Sequence, residues 1–92
     1  MKLTRNELKC IFHVGRKLEL IACLVPMAQP QFRTVKAHKS YGFDMEKPDG
    51  KVSRLDFIAG QRIEGISEAG NGFTEVKIYE PNGEVAAHYK VL

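Results

Sequence analysis

The chain has no tryptophan, only two cysteines, only four prolines, and no apolar run long enough to cross a bilayer. Its longest greasy stretch, residues 18–25, is broken by Glu19 and falls far short of the roughly 20 apolar residues of a membrane-spanning helix. Cys10 and Cys23 are too few for a disulfide framework and read as free, buried thiols in a reducing compartment. The opening Met1-Lys2-Leu3-Thr4-Arg5-Asn6-Glu7 is charged from the outset and lacks the apolar core of a secretory leader, which places the expected site of action in the cytoplasm. Internal repeats and low-complexity tracts are also missing, so neither a solenoid nor a disordered tail is expected.

What is present fits one folded domain spanning residues 1–92. The hydrophobic share of 43% and charged share of 27% lie in the ordinary globular range. The net charge is only +3, but it is unevenly distributed. Residues 1–39 carry eight basic and two acidic side chains, whereas residues 40–92 carry six basic and nine acidic ones. Such asymmetry gives the first half a positive field that can steer an anionic partner.

The first element is a helix expected over Arg5 to Val14. Thr4 can cap it, Glu7 can reach back to close a capping box, and Leu3 and Leu8 form a hydrophobic staple. Leu8, Ile11 and Phe12 supply the buried stripe, and Gly15 suits the end. At about 100° per residue, Arg5, Lys9 and His13 stack along one side, with Arg16 and Lys17 just beyond. Residues 18–25 read as a buried strand, although their Leu and Ala content would also suit a helix. Residues 32–39 alternate as a strand that presents Arg33 and Lys36 on opposite faces. From Ser40 onward the chain reads as a β-meander, with Tyr41, Phe43 and Met45 on one face. Turns are expected at Lys47-Pro48-Asp49-Gly50, Gly70-Asn71-Gly72 and Pro81-Asn82-Gly83. The expected fold class is therefore α+β, with one N-terminal helix packed on an antiparallel sheet, a meander of about four to six strands.

Few residues suggest chemistry. Cys10, His13, Cys23 and His38 are zinc-ligand types but lack the tight paired spacing of zinc sites. Asp49 with Glu75 and Lys77 imitates the carboxylates and lysine of PD-(D/E)xK nucleases, yet Asp49 is explained by its turn and the other two by strand alternation. No cofactor, metal or small-molecule substrate is implied. The remaining signal is a set of cations: Arg5, Lys9, His13, Arg16 and Lys17, then Arg33, Lys36, His38 and Lys39, followed by Tyr41 and Phe43. Lys and Arg neutralise phosphates, and exposed aromatic rings stack on unpaired bases, so this set is the candidate surface for a nucleic acid or an RNA-containing partner.

From MKLTRNELKCIFHVGRKLEL to the closing EPNGEVAAHYKVL, the whole chain resembles the small phage-encoded anti-CRISPR proteins that act on type I-F systems. No shared motif carries this likeness, so no family residue is assigned to a numbered position. The resemblance implies a non-enzymatic inhibitor that binds Cas protein subunits of a crRNA-guided surveillance complex and blocks target DNA from binding or hybridising; the charge pattern adds the expectation that the basic residues touch the crRNA backbone. The alternatives are an independent RNA- or DNA-binding accessory protein and a metal-dependent nuclease-like enzyme.

Overall fold

The computed structural model describes residues 1–67 and 72–92. One helix, α1 (Arg5–Ile11), precedes seven strands: β1 (Lys17–Cys23), β2 (Gln31–Lys39), β3 (Gly42–Glu46), β4 (Val52–Asp56), β5 (Arg62–Ser67), β6 (Phe73–Tyr79) and β7 (Val85–Val91). All seven join one antiparallel sheet in the order β4-β3-β2-β1-β7-β6-β5. The protein is therefore mostly β, which corrects the expectation of an α+β fold with about four to six strands. The helix is one element of seven residues, too short to form a layer. Arg62–Ser67 is a full strand although Gly65 interrupts its apolar alternation.

The meander expected from Ser40 onward also breaks. β4 does not pair with β5; the chain passes from one edge of the sheet to the other, and β7 returns to pair with β1 in the middle. This crossing dictates the shape. Laid flat, seven strands would span about 29 Å, from six spacings near 4.8 Å. The residues between Asp56 and Arg62 can bridge at most ~22 Å when fully extended. The sheet must therefore curl until its edges approach, and the molecule is nearly as deep as it is wide, 33 × 31 × 30 Å.

The N-terminal segment fills the seam of this open barrel. Leu3 N donates to Ile63 O at 2.8 Å and Gly65 N to Met1 O at 2.7 Å, so residues 1–3 cover the outer edge of β5. An added Cβ at Gly65 would lie 2.7 Å from the Phe73 ring and 2.9 Å from Leu3, so glycine is what allows this approach. The helix starts as read from the sequence: Glu7 N donates to Thr4 Oγ1 and Thr4 N to Glu7 Oε1. Leu3, Leu8 and Phe12 point into the barrel, where Phe12 meets Phe43 and Tyr89 at centroid distances of 5.7 and 5.1 Å. Leu18, Val35, Met45, Val76 and Ile78 complete the fully enclosed set.

Three local expectations need revision. The helix stops at Ile11 and not at Val14. β-branched Val14 and Gly15 continue a helix poorly, and Gly15 instead adopts a φ of 92° and donates to Val35 O, handing the chain to the sheet. Tyr41 does not share the inward face of Phe43 and Met45. It lies across Asp44 and under Arg54 on the outer side, next to Gly42 at a φ of 147°. The thiols are free as read, but Cys10 is exposed and only Cys23 is half-buried. Elsewhere the ambiguous run at 18–25 is the strand β1, shifted to Lys17–Cys23. Of the turn read at Gly70-Asn71-Gly72, Gly70 and Asn71 lie outside the described residues. Among the described residues, no helix is long and apolar enough to cross a membrane.

Candidate functional site

The nine nominated cations separate into three groups. The first lies along the seam that α1 closes. Arg5 sits over the Phe57 ring at 5.2 Å and donates to Ile58 O at 3.2 Å, tying the helix to the connection between β4 and β5. Lys9 follows one turn later and is exposed. His13 lies beyond the helix end, also exposed, with Nδ1 beside the Val14 carbonyl. His38 reaches the same place from β2: its Nε2–H donates to Phe12 O at 2.7 Å, and its ring lies 4.6 Å from that of Phe43. That bond satisfies a carbonyl at the helix end that would otherwise lack a partner. Lys39 follows His38 in β2 and is exposed. Arg5 and His38 are thus tied to the segment around α1, on which Lys9 and His13 are exposed, whereas strand alternation turns Lys39 to the face opposite His38; the five do not form one helical ridge.

The second group occupies the convex outer face. Lys17 and Thr34 are opposite each other across β1 and β2, and Thr34 is opposite Glu46 on β3. The Lys17 ammonium sits 4.4 Å from the centroid of Phe32, a ring that remains 41% exposed. These residues, with Lys47 and Pro48, line a shallow groove of about 220 Å³. Lys36 is exposed but held by Glu46 at 3.9 Å. Arg33 and Lys36 do face opposite sides as read, and the inward one is Arg33.

The third group is tied into the chain itself. Arg33 is buried at 8% exposure, and its guanidinium is satisfied by Phe32 O at 2.8 Å and Gln31 Oε1 at 2.7 Å. Arg16 is half-buried and donates to Leu92 O at 3.3 Å. Both are framework residues.

Of the nine cations, only Lys36 has a carboxylate within 4.0 Å among the described residues. The nearest acid in sequence to the seam group, Glu7, is occupied by the helix cap. The later half of the chain engages its own acids instead: Arg54 pairs with Asp56 at 3.0 Å, and His88 Nε2 lies 2.7 Å from Glu75 Oε1 in a hydrogen bond. Positive charge on the seam is thus left uncompensated while the acidic half is partly satisfied internally.

The aromatic part of the sequence reading moves to another residue. Phe43 is fully buried, and Tyr41 is held by its bond to the Asp44 carboxylate, which raises the phenol above its ordinary pKa. The ring left open for stacking is Phe32. Its parity with the outward Thr34 and Lys36 was the available signal, but Val35 is the only large aliphatic residue fixing the inward face of that strand. Tyr89, enclosed beside Phe12, has its phenol pushed up to about 12 by burial.

The metal-ligand types do not converge. No group of three or more His, Cys, Asp or Glu residues placed to hold an ion occurs among the described residues. His38 is engaged by Phe12 O, and Cys23 Sγ lies 3.1 Å from Val25 O as a donor. The nuclease-like string is also dispersed. Asp49 accepts from Lys51 N in the β3–β4 turn, whereas Glu75 and Lys77 lie on β6, with β2, β1 and β7 between them and β3. What the geometry can do is present cations to an anion, along the seam and beside Phe32. No protein-family model, curated protein or solved structure matches this chain.

Proposed function

We propose that this protein is a non-enzymatic, cytoplasmic inhibitor that docks on an RNA-containing assembly, the type I-F crRNA-guided surveillance complex, and keeps target DNA from binding or hybridising. The observation that carries this reading is the uncompensated charge of the seam. Arg5 and Lys9 on α1, and Lys39 next to His38 on β2, are exposed and have no carboxylate within 4.0 Å among the described residues, and the exposed His13 ring follows the helix end. A polyanion such as a crRNA backbone offers the complementary field, and the Cas subunits offer the protein surface around it. The full-length resemblance to type I-F anti-CRISPR proteins supplies the identity of the assembly.

The test is co-purification from cells carrying a type I-F complex, followed by a target-DNA binding assay. Association together with blocked DNA binding is expected. Reversing charge at Lys9 and Lys39 together should weaken association about tenfold or more, from the loss of roughly two close charge contacts. Exposed side chains contribute little to folding, so the variant should keep its unfolding midpoint. Lys36→Gln, which removes an already paired charge, should associate as the parent does. Failure to co-purify would refute the proposal.

The exposed Phe32 ring under Lys17 favours a second reading, in which the protein binds free single-stranded RNA. Bases stack on such a ring while the ammonium meets phosphate. This reading expects affinity for naked RNA to fall with salt, at about 0.7 log units per log unit of salt for each phosphate contact, and a marked loss in Phe32→Ala. Absence of naked-RNA binding removes it.

A further inference from the structure

The two edges of the sheet end differently. The outer edge of β5 is covered by residues 1–3. Among the described residues, nothing pairs with the outer edge of β4. Which groups that edge offers follows from parity. Lys47 N donates to Lys51 O and Phe57 N to Tyr41 O, so the odd-numbered residues of this stretch turn their backbone groups toward β3. Val52, Arg54 and Asp56 turn theirs away. Their side chains are also the exposed ones, alternating with half-buried Ser53 and Leu55. The next outward position, Ile58, is already used: its N–H donates to Gln61 Oε1 and its carbonyl accepts from Arg5.

We infer that this edge pairs with the same edge of a second copy of the chain, antiparallel, with Arg54 of each copy opposite Asp56 of the other. Only registers that place outward-facing residues opposite one another form backbone bonds across the junction. Setting Arg54 on Arg54, or Asp56 on Asp56, opposes like charges. Setting Val52 opposite Arg54 leaves Asp56 beyond the end of the paired stretch. Setting Arg54 opposite Asp56 forms two reciprocal backbone pairs, about four hydrogen bonds, and two ion pairs. The guanidinium is already oriented for this. It stacks on Tyr41 at 3.7 Å and uses Nε for its own Asp56 Oδ1 at 3.0 Å, leaving the terminal nitrogens for the carboxylate of the second copy.

The same register places Val52 opposite Ile58 of the second copy, and these two are exposed apolar residues at 45% and 44%. Charges on an edge strand commonly block such pairing. Here they are opposite in sign and two residues apart, so two-fold pairing neutralises them. The contact is much smaller than the roughly 800 Å² per partner of a standard interface, so the dimer is weak and concentration-dependent.

Sedimentation equilibrium over a concentration series tests this. The average mass of the parent should rise from 10.4 kDa toward twice that value. Arg54→Glu and Asp56→Arg each oppose like charges in their own dimers, and each should raise the dissociation constant about tenfold. Mixed in equal amounts they restore both ion pairs, so the mixture should dimerise about as strongly as the parent. A parent that stays monomeric up to millimolar concentration, or a mixture no stronger than either variant alone, overturns the inference. Amide exchange in the unmutated protein gives a readout independent of any variant. Arg54 and Asp56 should slow with concentration while Ser53 and Leu55, already bonded to β3, should not, and exchange at Arg54 and Asp56 that ignores concentration overturns it equally.

Discussion

Replacing Phe12 by alanine should remove most of what holds the barrel closed. Its ring is fully buried, stacked on Phe43 and edge-on to Tyr89, at the point where the helix ends and His38 bonds the backbone. Truncating a buried phenylalanine costs about 3–5 kcal/mol through lost burial and the cavity left behind. A chain of 92 residues is expected to have a total stability of about 5–14 kcal/mol, so this one change consumes a large part of it. With an m-value of about 1–1.5 kcal/mol/M in urea, the unfolding midpoint should fall by roughly 2–5 M, or below zero denaturant if the parent is at the weak end. Circular dichroism across a urea titration measures it. Phe12→Leu, which keeps most of the volume, should cost less, about 1–2 kcal/mol. A loss under about 1 kcal/mol for the alanine variant would refute the claim that α1 plugs the seam, because no fully enclosed aromatic could be removed so cheaply.

Other changes probe separate parts of the same construction. Thr4→Ala breaks the reciprocal cap with Glu7 and should cost about 1 kcal/mol in the same titration. Gly42→Ala should cost about 3 kcal/mol or more: its φ is +147° and the new Cβ would lie 1.9 Å from Leu55 O, so the β3–β4 hairpin must shift. For Tyr89 the sign follows from burial, which favours the neutral phenol and raises its pKa from 10.0 to about 12. The unfolded phenol ionises first, so stability is fully present below pH 10 and is lost as pH rises through about 12, by about 2–3 kcal/mol. Tyr89→Phe should flatten that alkaline decline in urea titrations run from pH 9 to 12; an unchanged decline would show that another group causes it.

What the sequence revealed was chiefly local. Thr4 and Glu7 specify the helix start through contacts within one turn, which the structure reproduces, and Leu3 and Leu8 beside them are both buried. The Lys47-Pro48-Asp49-Gly50 turn is equally self-contained, with Gly50 N donating to Lys47 O and Asp49 accepting from Lys51 N. The helix end is not legible locally because distant residues help decide it: His38 donates to the Phe12 carbonyl and Val35 O accepts from the Gly15 amide, and neither is visible from a helical period. Strand order was equally hidden. Alternation marks a strand without saying which strand it pairs with, and the passage from β4 to β5 looks in sequence like another hairpin connection. The inward or outward sense of β2 is hidden for the same reason. Arg33 and Lys36 were placed on opposite faces, but which one faces the core depends on Leu18, the cross-strand partner of Arg33.

The closure of the barrel explains why docking and folding should respond to different substitutions. A helix of seven residues is far below the length at which intrinsic propensity sustains a helix in water, so α1 exists because Leu8 and Phe12 are enclosed and its first turn is capped. Those positions are therefore committed to stability. The outer positions have no such duty: Lys9 is exposed and, among the described residues, its ammonium has no carboxylate within 4.0 Å. A charge reversal there should leave the unfolding free energy within about 0.5 kcal/mol of the parent, while Phe12→Ala lowers it by about 3–5 kcal/mol. If association with an RNA-containing partner is lost in the first variant at full stability, the seam acts through its exposed charge. If it is lost only in proportion to the unfolded fraction, the cations serve as a solvated surface and the docking face lies elsewhere on the sheet.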